Sequence, residues 1–375
     1  MFIRYYIAGR HVACMLAVAR VEILHLLHDR TTISLILLVP AIQIVLFGYA
    51  INLNPKNIPI AIAGDKDGGG LGQRVRRTIQ DTGYFTILSD GLSRGDAERL
   101  VREGKALIGI ELPPRRHSGA DPLSGDSKVV VDATDPAAVR PALAALESTY
   151  WQQVAQFYAI GPVRSVDVEW LYNPEGRTAW TIVPGLVGVI VMISMLMLGA
   201  VTLVRERERG SWEALLATPV NAIDALAGKL SPYVIVGTIQ AGVVIFIATL
   251  LFSLPVRGDL IALLAAVPLY SAAHLILGFA FSALAESQLQ AIEAAVFFYL
   301  PSMLLSGFMF PFQGMPAWAR TVGEVLPLTH FVRATRGVLL KGEGISLVLA
   351  EMLPVALFAL GAAVLALAPY RRHMD

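Results

Sequence analysis

Six long apolar stretches constrain the fold of this chain more than any other feature. A helix that crosses the hydrocarbon core of a bilayer needs about 20 mostly apolar residues, because each residue advances the helix by about 1.5 Å. The stretches that reach this length are 33–51, 182–204, 233–254, 260–284, 289–310 and 345–368. The sequence therefore predicts an α-helical polytopic membrane protein with six transmembrane helices.

The composition is typical of a protein that lies mostly in lipid. Of the 375 residues, 55% are hydrophobic and only 16% are charged, whereas soluble domains carry about 25% charged residues. The formal net charge of +1 offers no basic patch for phosphates, so no nucleic-acid partner is expected. Cys14 is the one cysteine, and we expect it to be a small apolar side chain rather than part of a disulfide or a metal site.

The distribution of Lys and Arg predicts the orientation of the spans. Short loops rich in these residues stay in the cytoplasm, whereas long domains cross the membrane largely regardless of charge. One side of the predicted topology carries ten of them, namely Arg4, Arg10, Arg20, Arg30, Arg205, Arg207, Arg209, Lys229, Arg371 and Arg372. The other side carries five, namely Arg257, Arg320, Arg333, Arg336 and Lys341. We therefore predict a multi-pass membrane protein with both termini in the cytoplasm.

The segment 53–180, between the first two apolar stretches, is long enough to form a domain of its own. Its pattern predicts strands at 58–63, 85–88, 106–111, 129–132 and 163–171, and helices at 73–80, 94–103 and 136–158. The stretch 113–126 is rich in Pro, Gly and Ser and predicts an exposed loop. We therefore predict a mixed α/β extracytoplasmic domain inserted between spans 1 and 2.

The glycine-rich segment 64–72 is the candidate for a phosphate-binding loop. It lies between a predicted strand and a predicted helix, but the chain nowhere contains Gly-Lys followed by Ser or Thr, which such a loop requires. Its aspartates also lack the spacing of a calcium loop, so an ordinary exposed turn is the better interpretation. The sequence thus predicts no catalytic residues, no metal site and no cofactor in this chain. Energy for uphill transport must then come from an ion gradient or another chain.

A charged segment follows the second apolar stretch and ends in a short apolar pattern. Its opposite charges lie three residues apart, so they can pair along the surface of a helix. Gly210 then interrupts the helix, and Ser211 can cap a new short helix with an apolar side. Such a helix suits a partner protein, and lying flat on the membrane surface is the alternative. The residues of this segment are Arg205, Glu206, Arg207, Glu208, Arg209, Gly210, Ser211, Trp212, Glu213, Leu215 and Leu216.

At this segment the chain resembles the permease subunits of type-2 ABC transporters, the mostly exporting class whose membrane and ATPase parts are often separate chains. Further resemblances lie at 22–30, which is similar to the amphipathic N-terminal elbow of the family, and at 171–175, 183–186, 287–291, 305–311, 315–316, 326–330 and 336–337. The large segment 53–180 resembles that of the bacterial multidrug-type permeases in this family.

The resemblance implies how the chain is divided. Residues 1–30 would form a cytoplasmic amphipathic elbow, 31–52 span 1, 53–180 the extracytoplasmic domain and 181–375 spans 2–6. Within the last part, 205–230 would be the cytoplasmic coupling segment and 305–345 an outer re-entrant segment. Breaks at Gly307, Pro311, Pro316 and Pro327 suit a pair of short helices in that outer segment.

The resemblance also implies an activity and partners. The expected activity is that of a multidrug-type efflux permease that forms the translocation pathway as a dimer in membrane lipid. A cytoplasmic ABC ATPase subunit would bind ATP and Mg and supply the energy. The second permease would be an identical copy or a paralogue, and a periplasmic adaptor protein would be a further partner. The expected cargo is a drug, a lipid or another amphiphile.

Polar residues within or beside the apolar stretches are the candidates for the pathway. A charge at the bilayer centre costs about 2.5–3.5 kcal/mol on insertion scales, so such groups should face protein or water. Glu293, where the chain departs from common members of the family, is either a pathway residue or an interfacial acid. The uncharged candidates can instead bond a neighbouring helix. The candidates are Gln43, Gln240, His274, Gln290, Glu293, Ser306 and Gly307.

Two other classes of function stay open from the residues alone. An ion-coupled secondary transporter would show internal repeats and discontinuous spans with charges near the midplane, and the sequence has no evident repeat and few such charges. A membrane-anchored receptor or sensor would use the outer domain for binding and would need only one or two spans. ATP-driven export is therefore the expected function.

Overall fold

The structure is a computed structural model that describes residues 2–28, 30–50, 58–64, 71–81, 83, 85–88, 92–93, 95–111, 128–132, 143, 146, 172–173, 175, 177–208, 210 and 221–374. The chain divides into two compact units, one formed by Met1–Ile51 with Arg177–Asp375 and the other by Asn52–Gly176. In chain order the elements are α1 (Phe2–His28), α2 (Arg30–Ala50), β1 (Ile58–Ala63), α3 (Leu71–Asp81), β2 (Phe85–Ile87), α4 (Asp96–Arg102), β3 (Ile108–Glu111), β4 (Lys128–Val131), α5 (Thr178–Glu208), α6 (Ala222–Phe252), α7 (Leu260–Leu284), α8 (Gln288–Leu305), α9 (Ala317–Gly323), α10 (Pro327–Arg336) and α11 (Ile345–Met374).

Six segments of the described helices are long and apolar enough to cross a membrane. They are His11–His28, Thr178–Glu208, Ile223–Phe252, Leu260–Leu284, Gln288–Leu305 and Ile345–Leu367. The chain is therefore a multi-pass α-helical membrane protein, which confirms the predicted class. The predicted span 1, at 31–52, corresponds to α2, of which Leu38–Tyr49 is the described apolar part.

The segment 1–30, predicted as a cytoplasmic elbow, corresponds to the single helix α1, and its position on the membrane face stays a prediction. Two predicted boundaries differ from the structure. Helix α8 ends at Leu305 instead of 310, because Gly307 has a φ of +82°, a conformation that favours glycine and ends the helix. Helix α6 begins at Ala222 rather than at 233. Its first turns contain polar residues, so the apolar pattern starts later than the helix does.

Helices α5 and α7 form the centre of the membrane unit. Their backbones touch where Gly199 faces Gly278, and a Cβ added to Gly199 would lie only 3.1 Å from the Cα of Gly278. The hydroxyl of the buried Tyr270 on α7 donates to the carbonyl oxygen of Gly188 on α5 at 2.9 Å. Small residues allow this close approach, and α6, α8 and α10 also pack on α5.

Within its described residues, the second unit contains a four-stranded mixed sheet in the order β2-β1-β3-β4. Strand β1 is parallel to β2 and β3, whereas β4 is antiparallel to β3. Alternate residues of a strand point to opposite faces, so Ile60 and Ile62 of β1 pack with Val75 of α3, while Ala61 packs with Val101 of α4. The elements predicted between 58 and 132 correspond to these strands and helices. The predicted loop 113–126, helix 136–158 and strand 163–171 lie outside the described residues apart from Leu143 and Leu146.

Candidate functional site

The last turn of α5, residues 205–208, which we call the charged end, is bound to the turn between α7 and α8. Arg207 donates to the carbonyl oxygen of Ser282 at 3.1 Å and to that of Ala285. Glu208 accepts from the backbone N–H of Gln288 at 3.0 Å and from its side-chain amide. Arg207 thereby binds carbonyl groups at the end of α7, and Glu208 binds an N–H group at the start of α8. Both are places where a helix leaves backbone groups without partners.

A buried ion pair joins the charged end to α6. The ammonium group of Lys229 pairs with the carboxylate of Glu206. The lysine side chain is only 4% exposed, and that of the glutamate is 25% exposed. Because a buried charge is strongly unfavourable without a counter-charge, the pair is what permits the burial of Lys229.

Helix α1 is tied to the same part of α6. Tyr233 of α6 donates its hydroxyl proton to Glu22 of α1 at 2.6 Å. Gly228 allows the two backbones to approach, since a Cβ there would lie 2.7 Å from the carbonyl oxygen of Met15. The charged end, α6 and α1 therefore form one connected group.

The contacts of the charged end differ from those expected from the sequence. The spacing predicts that Arg205 pairs with Glu208 along the helix, whereas Glu208 binds Gln288 on another helix. The end of α5 does follow the pattern: Gly210 has a φ of +72° and its N–H donates to the carbonyl oxygen of Arg207 at 3.2 Å, which is typical of a helix that ends at glycine. The other residues predicted for this segment, Arg209, Ser211, Trp212, Glu213, Leu215 and Leu216, lie outside the described residues.

Two of the candidate pathway residues line the same surface. Gln290 and Glu293 both lie on α8, and both line a groove that follows this helix. Both side chains are exposed. The structure therefore brings these two candidates together at the start of α8.

Three other candidates lie within the helix packing. Gln240 of α6 donates to the hydroxyl oxygen of Ser194 on α5 at 2.9 Å. His274 is buried, and its Nδ1 lies 2.9 Å from the carbonyl oxygen of Tyr270 one turn earlier. The Oε1 atom of Gln43 on α2 is buried and has no hydrogen-bond partner among the described residues. The bond of Gln240 to α5 is of the kind that the alternative interpretation predicts, whereas the bond of His274 stays within α7.

Ser306 and Gly307 form the break after α8. The Ser306 hydroxyl donates to the carbonyl oxygen of Met303 and accepts from the backbone N–H of Phe308, both at 3.3 Å. Arg336 of α10 donates to the carbonyl oxygen of Gly307 at 2.9 Å. These two candidates therefore shape the chain between α8 and α9 rather than line the groove. The short helices α9 and α10 follow this break, and their role as an outer lid stays a prediction.

A buried histidine links α10 to α11. The Nδ1 atom of His330 lies 2.7 Å from the Glu351 carboxylate, and Nε2 lies 2.9 Å from the carbonyl oxygen of Glu324. Burial disfavours the charged imidazole, but these hydrogen bonds outweigh it and raise the pKa of His330 above its usual value. Arg333 makes two hydrogen bonds to the Glu324 carboxylate, at 2.9 and 2.5 Å, and lowers the pKa of that carboxyl. This network holds α10 against α11.

The sequence interpretation missed several of these residues. From the sequence, Lys229 is only one of the loop charges that predict the orientation, and no pattern pairs His330 with Glu351. A signal was available, because a charge within or beside an apolar stretch needs a partner. The identity of the partner was not visible, since Lys229 and Glu206 are 23 residues apart and Gln288 and Glu208 are 80 residues apart.

Comparison with known proteins gives one family. A sequence model described as ABC-2 family transporter protein matches residues 30–368. The chain is similar to the probable multidrug ABC transporter permease YbhR of Escherichia coli K12, with 26% identity over 364 residues that cover 95% of this chain and 97% of that protein. It is similar to the probable multidrug ABC transporter permease YbhS of the same strain, with 26% identity over 335 residues that cover 86% and 87%. It is also similar to ABC transporter G family member 20 of Dictyostelium discoideum, with 24% identity over 342 residues that cover 88% of this chain and 46% of that protein.

Proposed function

We propose, on the premise that this chain belongs to the ABC-2 family of transporter proteins, that it is the permease subunit of an ATP-driven export system. The family match over residues 30–368 carries this proposal, and the six apolar segments provide the membrane part. Two relatives are described as probable multidrug permeases. We therefore propose a drug, a lipid or another amphiphile as the cargo.

The energy source in this proposal is a separate cytoplasmic ATPase subunit, which binds the ATP and Mg. The missing Gly-Lys-Ser/Thr pattern in this chain supports a separate subunit. The coupling segment 205–230 would receive the ATPase movement. The charged end would pass it to α6 through Lys229 and to the turn between α7 and α8 through Arg207 and Glu208.

The proposed assembly places the pathway between two permeases in the cell inner membrane, the second being an identical copy or a paralogue. Both termini and the segment 205–230 would lie in the cytoplasm, as the Lys and Arg distribution indicates. The unit Asn52–Gly176 would then lie outside, available to a periplasmic adaptor protein. The segment 305–345, with its two short helices, would cap the outer end of the pathway.

Labelling of single cysteines tests this orientation. In a chain whose Cys14 is replaced by alanine, a cysteine at Ser118 should react with an impermeant thiol reagent applied to spheroplasts. A cysteine at Ser211 should react only after permeabilisation, because the loop that contains it belongs to the side richer in Lys and Arg. The chain without any cysteine is the control. The reverse labelling pattern would overturn the orientation and the cytoplasmic position of the coupling segment.

The source of energy is tested with the purified chain in nanodiscs. Alone, the chain is expected to release no phosphate from ATP, because it lacks a phosphate-binding loop. With its partner ATPase, hydrolysis and ATP-dependent movement of an amphiphile across proteoliposomes should appear. Hydrolysis by the isolated chain, with contaminating ATPases excluded, would contradict a separate ATPase. Uphill transport driven by a proton gradient alone would favour the secondary-transporter alternative.

A variant pair in the same assay tests the proposed coupling segment. The double variant Glu213→Arg with Leu216→Asp should weaken co-purification of the ATPase and abolish export, because it replaces a charge and an apolar contact on the predicted short helix. Neither residue lies in a predicted span, so insertion should stay intact. Arg320→Gln, a change on α9 at the predicted outer side, is the control and should leave binding and export unchanged. Normal binding and export by the double variant would place the coupling site elsewhere.

A further inference from the structure

An open groove of about 660 Å³ follows the length of α8. Its lining extends from Gln290 to Leu305 on this helix, which is about 22 Å at about 1.5 Å per residue. Phe281 of α7 adds to the lining at the start of α8, and Val322 of α9 and Leu326 add to it at the other end. The volume falls in the range of about 300–1,000 Å³ that small-molecule sites occupy.

Most of the groove is apolar, and three aromatic rings contribute to it. Phe281, Phe297 and Phe298 all line the groove. The rings of Phe281 and Phe298 are tilted, with centroids 6.4 Å apart, and Phe297 is 80% exposed. Aromatic faces attract organic cations through the negative charge of the ring face, in addition to the burial of apolar surface.

Glu293 is the charged residue of this lining. Its side chain is exposed, and within the described part of the chain its carboxylate has neither an ion pair nor a hydrogen bond. Arg207 of α5, which contacts the turn between α7 and α8, instead donates to backbone carbonyl groups. The side-chain oxygen of Gln290 accepts from the backbone N–H of Glu286 at 2.7 Å. A carboxylate on an apolar surface in a membrane is unfavourable without a counter-charge. A ligand that brings a positive charge to Glu293 would supply it.

We propose that this groove binds an organic cation with an apolar body, whose charge pairs with Glu293 and whose body lies against Phe297 and Phe298. A lipid chain would fill the apolar part but would leave Glu293 without a counter-charge, and charge complementarity therefore favours the cation. Resting on the proposed function, this assigns the amphiphilic cargo to the class of hydrophobic cations.

Two ions of the same shape and opposite charge test the proposal. Tetraphenylphosphonium and tetraphenylborate each carry four phenyl rings, so their apolar burial is matched. The complete chain, without an ATPase, is placed in phosphatidylcholine nanodiscs, and binding above that of empty nanodiscs is measured. Wild-type protein should bind tetraphenylphosphonium saturably, and Glu293→Gln should weaken this binding at least tenfold without weakening that of tetraphenylborate. Glu293→Asp should retain most of the affinity, whereas Phe297→Ala should reduce it.

Glu286→Gln is the matched control, because this exposed acid lies on the turn before α8 and outside the lining. It should bind the cation like the wild type. Size-exclusion profiles and unfolding temperatures identify any variant that is misfolded. If Glu293→Gln is misfolded, cation binding by Glu293→Asp still tests the proposal. Absence of saturable cation binding, or equal binding by Glu293→Gln, would overturn the proposal and leave an apolar surface that lipid or a second copy covers. Because no ATPase is present, these outcomes are independent of the ATP-driven export assay.

Discussion

Replacement of Gly199 by valine is expected to destabilise the membrane unit strongly and to lower the yield of folded protein. A Cβ at this position would overlap the carbonyl oxygen of Leu275 and would lie 3.0 Å from the backbone nitrogen of Phe279. Both are backbone atoms of α7, so no change of rotamer can relieve the clash. Overpacking in a core costs about 1–3 kcal/mol where side chains adjust. We expect a larger loss here, because α5 and α7 would have to separate.

The yield of monodisperse protein in size-exclusion chromatography and the unfolding temperature measure this effect. Both should decrease from the wild type to Gly199→Ala and further to Gly199→Val. Gly361→Val on α11 is the control, because a Cβ there meets nothing within 4 Å. Valine also has a higher helix propensity than glycine, so propensity cannot explain a loss at Gly199. A normal yield and unfolding temperature for Gly199→Val would contradict the close approach of α5 and α7.

Removal of the Glu206 carboxylate is expected to destabilise the chain by about 3–5 kcal/mol, the range for breaking one side of a buried ion pair. The Lys229 side chain, 4% exposed, would lose its counter-charge in a place that water scarcely reaches. The variant Glu206→Met removes the charge with a side chain of similar length. Its free energy of unfolding in detergent micelles, compared with that of the wild type, measures the loss.

The double variant Glu206→Met with Lys229→Met separates the pair from the packing. It removes both charges together, and apolar replacement of a buried ion pair is often neutral or stabilising. We therefore expect it to recover most of the lost stability. A double variant as unstable as Glu206→Met would show that Glu206 stabilises the chain by another route. Under the proposed function, a stable double variant with impaired export would show that the ion pair helps to pass the ATPase movement from the coupling segment to α6.

The positions of several helices were predictable because their causes are local. The predicted span 260–284 coincides with α7, whose first turn is capped by the side chain of Asp259, which accepts from the backbone N–H of Ala262 at 3.0 Å. The start of α8 is likewise capped by Ser287, whose hydroxyl accepts from Gln290. Apolar composition and capping residues within one turn are sufficient for such predictions.

Other boundaries involve contacts that a hydropathy window does not register. The apolar pattern placed the start of α6 at 233, but the helix begins at Ala222, and Lys229 within this added part pairs with Glu206. The predicted span at 289–310 includes Ser306 and Gly307. In the structure the helix ends before them, and Arg336 donates a hydrogen bond to the carbonyl oxygen of Gly307. In each case a residue of another element contacts the segment.

The class of the protein is visible in its sequence, because six apolar stretches of spanning length leave few alternatives to a multi-pass helical protein, and its motifs indicate the ABC-2 family. The contact of Glu208 with Gln288, the contact of His330 with Glu351 and the position of Glu293 in a groove with aromatic residues are visible only in the folded chain. Hydropathy and capping act over a few neighbouring residues, so they are visible in a single stretch of sequence. Ion pairs and grooves join residues from different helices, and the packing of those helices selects which side chains meet.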